Sequence, residues 1–249
     1  MKKLYHEGMI FLSSYGTKAI LVKRLDYKRC ILRVENTDVE FMSHLTLLPS
    51  GKFKTPYCKT TYGVGYIGSE SAESLIHSPV HRVWSNMIKR CYTDYKGNRS
   101  PDVYSDTVVE ESWHNFSIFS AWYLEREKLF LGTNIKPKLD KDLLSGSDQI
   151  YSEKTCCLIP HAINCALIER KKRGNLPLGV VKHKKEYYAK IMVESCEKVI
   201  GNYTTPEEAS RAYISAKKEV IKQLACKYRD VLEEHVYGKL INWEPKRIF

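Results

Sequence analysis

No stretch of this 249-residue chain approaches the ~18 consecutive apolar residues that a membrane-spanning helix needs. The opening segment MKKLYHEGMIFLSSYG carries lysines at the front, but Glu7 and Gly8 interrupt any signal-peptide core. A cytoplasmic protein with no membrane partner is expected. No Cys-x-x-Cys pair occurs, and the eight cysteines are scattered. In a reducing compartment that pattern predicts small buried hydrophobes, not a disulfide framework. There is no internal repeat and no low-complexity tract. Gly63, Gly65 and Gly68 are closely spaced, but no Gly-Lys-Ser/Thr follows them into a helix, which excludes a phosphate-cradling loop.

Acidic residues are also in short supply. Lys and Arg number 40 against 29 Asp and Glu, a formal charge of +11, and the pI is about 9.1. That balance favours a polyanionic partner. A basic face for an acidic protein is the weaker option. The hydrophobic fraction of 43% is ordinary for a globular chain, so a core is available, and the length suits one large domain or two to three small ones.

From the N-terminus, Met9-Ile10-Phe11, Ala19 to Val22, Cys30 to Val34 and Val39 to Phe41 predict short strands separated by tight polar turns. That pattern predicts an SH3-like small β barrel, serving either as a docking module or as a structural cap. Residues 49–68 have the composition of a linker. Val80 to Tyr92 predicts a helix with Val80, Val83, Trp84, Met87, Ile88 and Cys91 on one stripe. A second helix is expected from about Asn115 to Glu127, with Phe116, Phe119, Trp122 and Tyr123 inward. Asp102-Val103-Tyr104 and Thr107-Val108-Val109 between them are expected to be extended. His77, His81 and His114 are potential metal ligands that lack an evident convergent partner.

Leu139 to Asn164, LDKDLLSGSDQIYSEKTCCLIPHAIN, is the stretch with a catalytic flavour. If a strand ran through Asp140 and Asp142, alternation would put both carboxylates on one side, a geometry suited to Mg2+ or another divalent cation. A zinc alternative takes one of the adjacent Cys156 and Cys157, which point to opposite faces of a strand, with His161 and Cys165, and needs Cys91 to complete the tetrahedron. The order of this stretch resembles the ββα finger of the HNH (His-Me) nucleases, in which a strand ends in a general-base His and a later helix supplies a metal ligand. The resemblance implies metal binding by Asp140 and Asn164. In an active enzyme these two would be catalytic with Asp142, which assists; His161, which does not match the family's catalytic His, or a metal-bound hydroxide would supply the base. Lys141 stands where the general-base His would be. A lysine near its ordinary pKa of ~10.4 holds its proton at neutral pH and cannot activate water. Trp84 to Tyr92 and Trp113-His114-Asn115-Phe116 are also similar to phage members of that family.

Leu176 to Ala225 predicts three strands and a helix. Leu178 to Val181, Tyr187 to Val193 and Val199 to Tyr203 are β-branched and aromatic. Thr204 or Thr205 then caps a helix with Pro206 at its first position and Glu207 and Glu208 in its first turn. Ala209, Ala212, Tyr213, Ala216 and Val220 recur at spacings of three and four, so one helix face packs on the sheet. The sheet's other face is expected to be free and basic. The succession Gly-Val, a basic tip, Tyr-Ala-Lys-Ile, Ile-Gly-Asn-Tyr and Thr-Pro-Glu-Glu-Ala-Ser-Arg-Ala-Tyr resembles an AP2 (ERF-type) DNA-binding domain, in the form that follows phage and mobile-element HNH endonucleases. The resemblance, which with the finger spans residues 62–226, implies a sheet laid in the major groove of double-stranded DNA. The DNA contacts it implies are Lys182, Lys184, Lys185, Tyr188 and Lys190, and the basic run Arg170, Lys171, Lys172 and Arg173 just before them is expected to bind DNA as well. The arginine-rich first strand of the plant members is absent, so their base preference does not carry over.

The expectation is an α+β chain in three parts: an SH3-like unit at 1–60, a degenerate HNH-like ββα region at 61–169, and an AP2-like domain with a helical tail at 170–249. In that tail Leu232, His235, Val236, Leu240 and Trp243 are expected to pack back. The function expected is sequence-recognising DNA binding of phage or mobile-element type. The finger either cuts DNA with a divalent metal, or has lost that activity and leaves a repressor or antagonist.

Overall fold

The computed structural model describes residues 5–93, 106–146, 148–168, 176–193 and 196–245. Two expectations, the extended Asp102-Val103-Tyr104 and the basic run Arg170, Lys171, Lys172 and Arg173, lie outside the described residues. The chain is mixed α+β with several small sheets, and it divides into two compact units. One holds residues 1–125 and 149–152, the other 126–148 and 153–249.

In the first unit, β1 (Ile10–Leu12), β2 (Lys18–Arg24), β3 (Arg29–Val34) and β4 (Glu40–His44) form an antiparallel meander in chain order. Alternation puts Ala19, Leu21, Cys30, Leu32, Val34 and Phe41 on one buried side. Among the described residues β1 and β4 do not pair, so the expected barrel does not close. The physical reason lies in what covers the sheet. Leu45, Leu48 and Phe53 join the same core, so the segment after β4 supplies the apolar cover that a closed barrel would take from its own strands. The reading of 49–68 as a linker is corrected accordingly. Ser13 Oγ donates to the Phe53 carbonyl at 2.9 Å, and Thr55 N donates to Cys58 Sγ at 3.1 Å.

Further along this unit come α1 (Glu70–Glu73), α2 (Pro79–Tyr92), β5 (Val108–Val109) and α3 (Phe116–Glu127). Ser78 caps α2, Pro79 opens it, and Val80, Trp84, Met87 and Ile88 are its buried side. Trp84 Nε1 donates to the Trp113 carbonyl at 2.8 Å, so the indole is both packed and satisfied. Phe116, Phe119, Trp122 and Tyr123 of α3 are buried as expected. Tyr66 N donates to the His114 carbonyl and Phe116 N to the Tyr66 carbonyl, which fastens the glycine-rich segment in place.

The second unit contains β6 (Pro137–Asp140), α4 (Asp142–Ser145), β8 (Cys157–Pro160) and α5 (His161–Leu167); β7 (Ile150–Tyr151), between α4 and β8, pairs in parallel with β5 in the first unit. Beyond α5 come β9 (Val180–His183), β10 (Glu186–Val193), β11 (Cys196–Tyr203), α6 (Pro206–Lys227) and α7 (Glu234–Ile241). Strands β9, β10 and β11 form an antiparallel meander with β10 central. Helix α6 serves two cores. Its first half packs Ala209 and Tyr213 against Val180, Ala189 and Ile191 of the sheet. Its second half packs Ile221 and Ala225 with Cys157, Ile159 and Ile163, and with Leu232, Val236 and Leu240 of the tail. His235 is exposed, contrary to expectation, because it sits on the α7 face away from Val236 and Leu240. No helix among the described residues is long and apolar enough to cross a membrane.

Candidate nucleic-acid interface

Among the described residues, the three-stranded sheet is covered on one side only. Residues Tyr187, Ala189, Ile191 and Val193 of β10 point to the α6 core. The alternate residues Glu186, Tyr188, Lys190 and Met192 therefore face away from it. Cross-strand pairing completes this outer face. Val181 lies opposite Tyr188, which in turn lies opposite Asn202; Lys190 lies opposite Val199, and Met192 opposite Glu197. Ile200 is the extra residue at the irregularity beside Lys190. Gly179, in the left-handed region at φ +74°, is required just before β9, because a Cβ there would overlap the Tyr213 ring of α6.

The outer face is mixed in character. Lys190 Nζ meets Glu197 Oε1 at 2.8 Å, and the Tyr188 hydroxyl donates to Glu186 Oε2 at 2.8 Å. That bond and the carboxylate's charge raise the Tyr188 pKa, so the phenol keeps its proton. Asn202 Nδ2 lies 3.4 Å from the same Glu186 oxygen. Of the expected lysines among the described residues, only Lys190 lies on the outer face proper. Lys182 pairs with Tyr187 and shares its side of the sheet, 5.4 Å from that ring. Lys184 and Lys185 form the β9–β10 turn, Lys184 at φ +55°. Lys184 and Lys185 thus lie at one end of the sheet, while Val181, Met192 and Val199 lie on its outer face, Met192 on the central strand and the two valines on the edge strands. The residues missed from the sequence are those three, with Asn202, Glu186 and Glu197. The two-residue alternation through Tyr188 was the signal that could have found them.

The finger stretch folds in the order strand, strand, helix. Strands β6 and β8 pair antiparallel, with Asp140 opposite Cys157, and α5 follows β8 directly and touches both strands. Strand β6 ends at Asp140, so the expected placement of Asp140 and Asp142 on one strand face is corrected. Asp140 Oδ1 accepts from Asp142 N at 3.0 Å and Leu143 N at 2.8 Å, which starts α4 instead. Lys141 is buried at 6% exposure, and its Nζ meets Asp142 Oδ1 at 2.7 Å. His161 is exposed at the start of α5, with its Nε2 3.4 Å from Cys165 Sγ one turn on; Asn164 lies between them in the chain. Thus the structure joins Asp140, Lys141 and Asp142 to one another in a cap and an ion pair.

Metal donors are sparse at these places. Among the described residues no group of three or more His, Cys, Asp and Glu side chains converges. Cys156 and Cys157 are buried, and desolvation holds the Cys157 thiol well above its ordinary pKa, which disfavours the thiolate that zinc would need. His114 Nε2 lies 2.9 Å from the Tyr92 hydroxyl. Burial, and then Lys59, lower its pKa. His81 packs edge-on to Phe116, and burial followed by His77 lowers its pKa. Compared with known proteins, the chain matches no family model, no curated protein and no solved structure.

Proposed function

We propose that this protein binds double-stranded DNA through the outer face and basic fringe of β9–β10–β11, as a sequence-recognising protein of phage or mobile-element type. One observation carries the reading: among the described residues a three-stranded antiparallel sheet is backed by a helix on one side alone, with Lys190 on the open side and Lys184 and Lys185 in the turn at its end. A narrow antiparallel sheet is one of the shapes that the major groove admits. The formal charge of +11 supplies phosphate attraction. The match to an AP2-like domain remains a resemblance of residues and order.

The finger is read as a scaffold that no longer cuts. Asp140 is engaged in starting α4, and the ammonium of Lys141 stands beside Asp142, where it would repel a divalent cation. As placed, these residues do not fit a Mg2+ site. The protein then acts by occupying its DNA, as a repressor or antagonist of another enzyme. The strand–strand–helix order of β6, β8 and α5 favours the second reading, a metal-dependent endonuclease with Asp140 and Asn164 at the metal.

Incubating the full chain with supercoiled plasmid in Mg2+, Mn2+ or EDTA separates the two. We expect salt-sensitive gel shifts and no cutting under any metal. Metal-dependent cutting that vanishes in Asp140→Ala and Asn164→Ala, with binding retained, would overturn the scaffold reading.

A further inference from the structure

The outer face of β9–β10–β11 has a chemistry that discriminates among bases. We infer that it reads A·T-rich duplex, recognising the 5-methyl groups of thymine; the inference rests on the DNA-binding reading above. Val181, Met192 and Val199 are 46%, 41% and 57% exposed on the side of the sheet away from α6. Leaving such side chains in water is unfavourable, and covering them against apolar groups recovers that cost. In the major groove only thymine presents a methyl group.

The polar groups on the face argue the same way. Guanine is read by an arginine or lysine reaching its O6 and N7. Strands β9, β10 and β11 contain no arginine, and Lys190 is engaged with Glu197. Cytosine offers a donor that a carboxylate would accept, but Glu186 already accepts from Tyr188 and Glu197 from Lys190. Asn202, opposite Tyr188 on edge strand β11, carries the amide that pairs with adenine N6 and N7, and its long 3.4 Å contact to Glu186 is the weakest polar pairing on the face and is exchanged for the base. Lys184 and Lys185 in the β9–β10 turn at the end of the face suit phosphates, which is why the occupant is DNA and not an apolar protein surface.

Replacing thymine by uracil isolates the methyl group, since base pairing and duplex charge are kept. The full chain is titrated by fluorescence anisotropy against an A·T-rich duplex, the same duplex with deoxyuridine for every thymidine, and a G·C-rich duplex of equal length. The thymine duplex should bind tightest, with affinity about fourfold weaker for each buried methyl group removed in the uracil duplex. Val181→Ser/Val199→Ser removes all the apolar methyl groups at both positions, and an unchanged circular dichroism spectrum checks that the sheet still folds. The double variant should lose most of the thymine-over-uracil preference while keeping the salt dependence. Equal binding of the thymine and uracil duplexes, a G·C preference, or a preference that survives in the double variant would overturn the inference and leave DNA binding standing. Failure to bind any duplex would overturn both.

Discussion

Asp140 illustrates how one carboxylate can be spoken for by the backbone. Its Oδ1 receives two N–H groups at the start of α4, the task of a capping side chain. Asp140→Ala should therefore cost about 1 kcal/mol of stability, as loss of a helix cap does, and leave DNA affinity unchanged. Urea unfolding beside an anisotropy titration checks both halves. Asp26 is a second case, with a pH signature. Its carboxylate accepts from the backbone N–H groups of Arg29 and Lys28, each at 2.7 Å, and from Arg29 Nε. These bonds, led by the backbone N–H of Arg29, lower its pKa from 3.8 to about 2. The folded-state pKa is depressed, so the contribution is present above 3.8 and is lost as pH falls towards about 2. Asp26→Asn should flatten the acid limb of stability in that window, read as the urea midpoint against pH. An unchanged limb would show that the turn does not hold the carboxylate as described.

At the scale of elements, helix α6 was the most legible part of the sequence. Its start is written locally: Thr205 Oγ1 accepts from Glu208 N, and Glu208 Oε2 accepts from Thr205 N, each at 3.3 Å, with Pro206 between. Hydrogen bonds from the Thr204 and then the Thr205 side of this turn lower the Glu208 pKa. Thr205→Ala should cost about 1 kcal/mol, seen as a lower urea midpoint with unchanged slope. The strands of the same region were legible from their β-branched and aromatic runs. What escaped was information held far away in the chain. Residues 49–68 looked like a linker because nothing periodic marks them, yet Phe53 is fixed by a core and a Ser13 hydroxyl 40 positions earlier. The supposed single strand through Asp140 and Asp142 failed for a local reason: an aspartate shortly before a Leu-Leu pair prefers to start a helix. Barrel closure failed because the cover came from the segment after β4 and not from a strand.

For the molecule as a whole, α6 links function to stability. One helix backs the sheet proposed to meet DNA and also closes the core that holds β8, α5 and the tail. Charge acts at this scale too. With +11 overall and lysines at the sheet's fringe, binding should be driven largely by counterion release. The fold class could be read from the sequence because helix and strand periods are local. Which side of the sheet each lysine takes could not, because it depends on the pleat and on the pairing register. Lys182 shows this, sharing a side with Tyr187 although Tyr188 faces outward.

The most direct test is a titration of labelled duplex DNA at several salt concentrations, comparing the natural chain with Lys182→Gln/Lys184→Gln/Lys185→Gln. The account predicts that log K falls linearly with log salt, and that the triple variant binds more weakly with a slope shallower by about 2.7, roughly 0.9 for each phosphate no longer neutralised. No duplex binding at low salt, or a triple variant with the same affinity and the same slope, would contradict it.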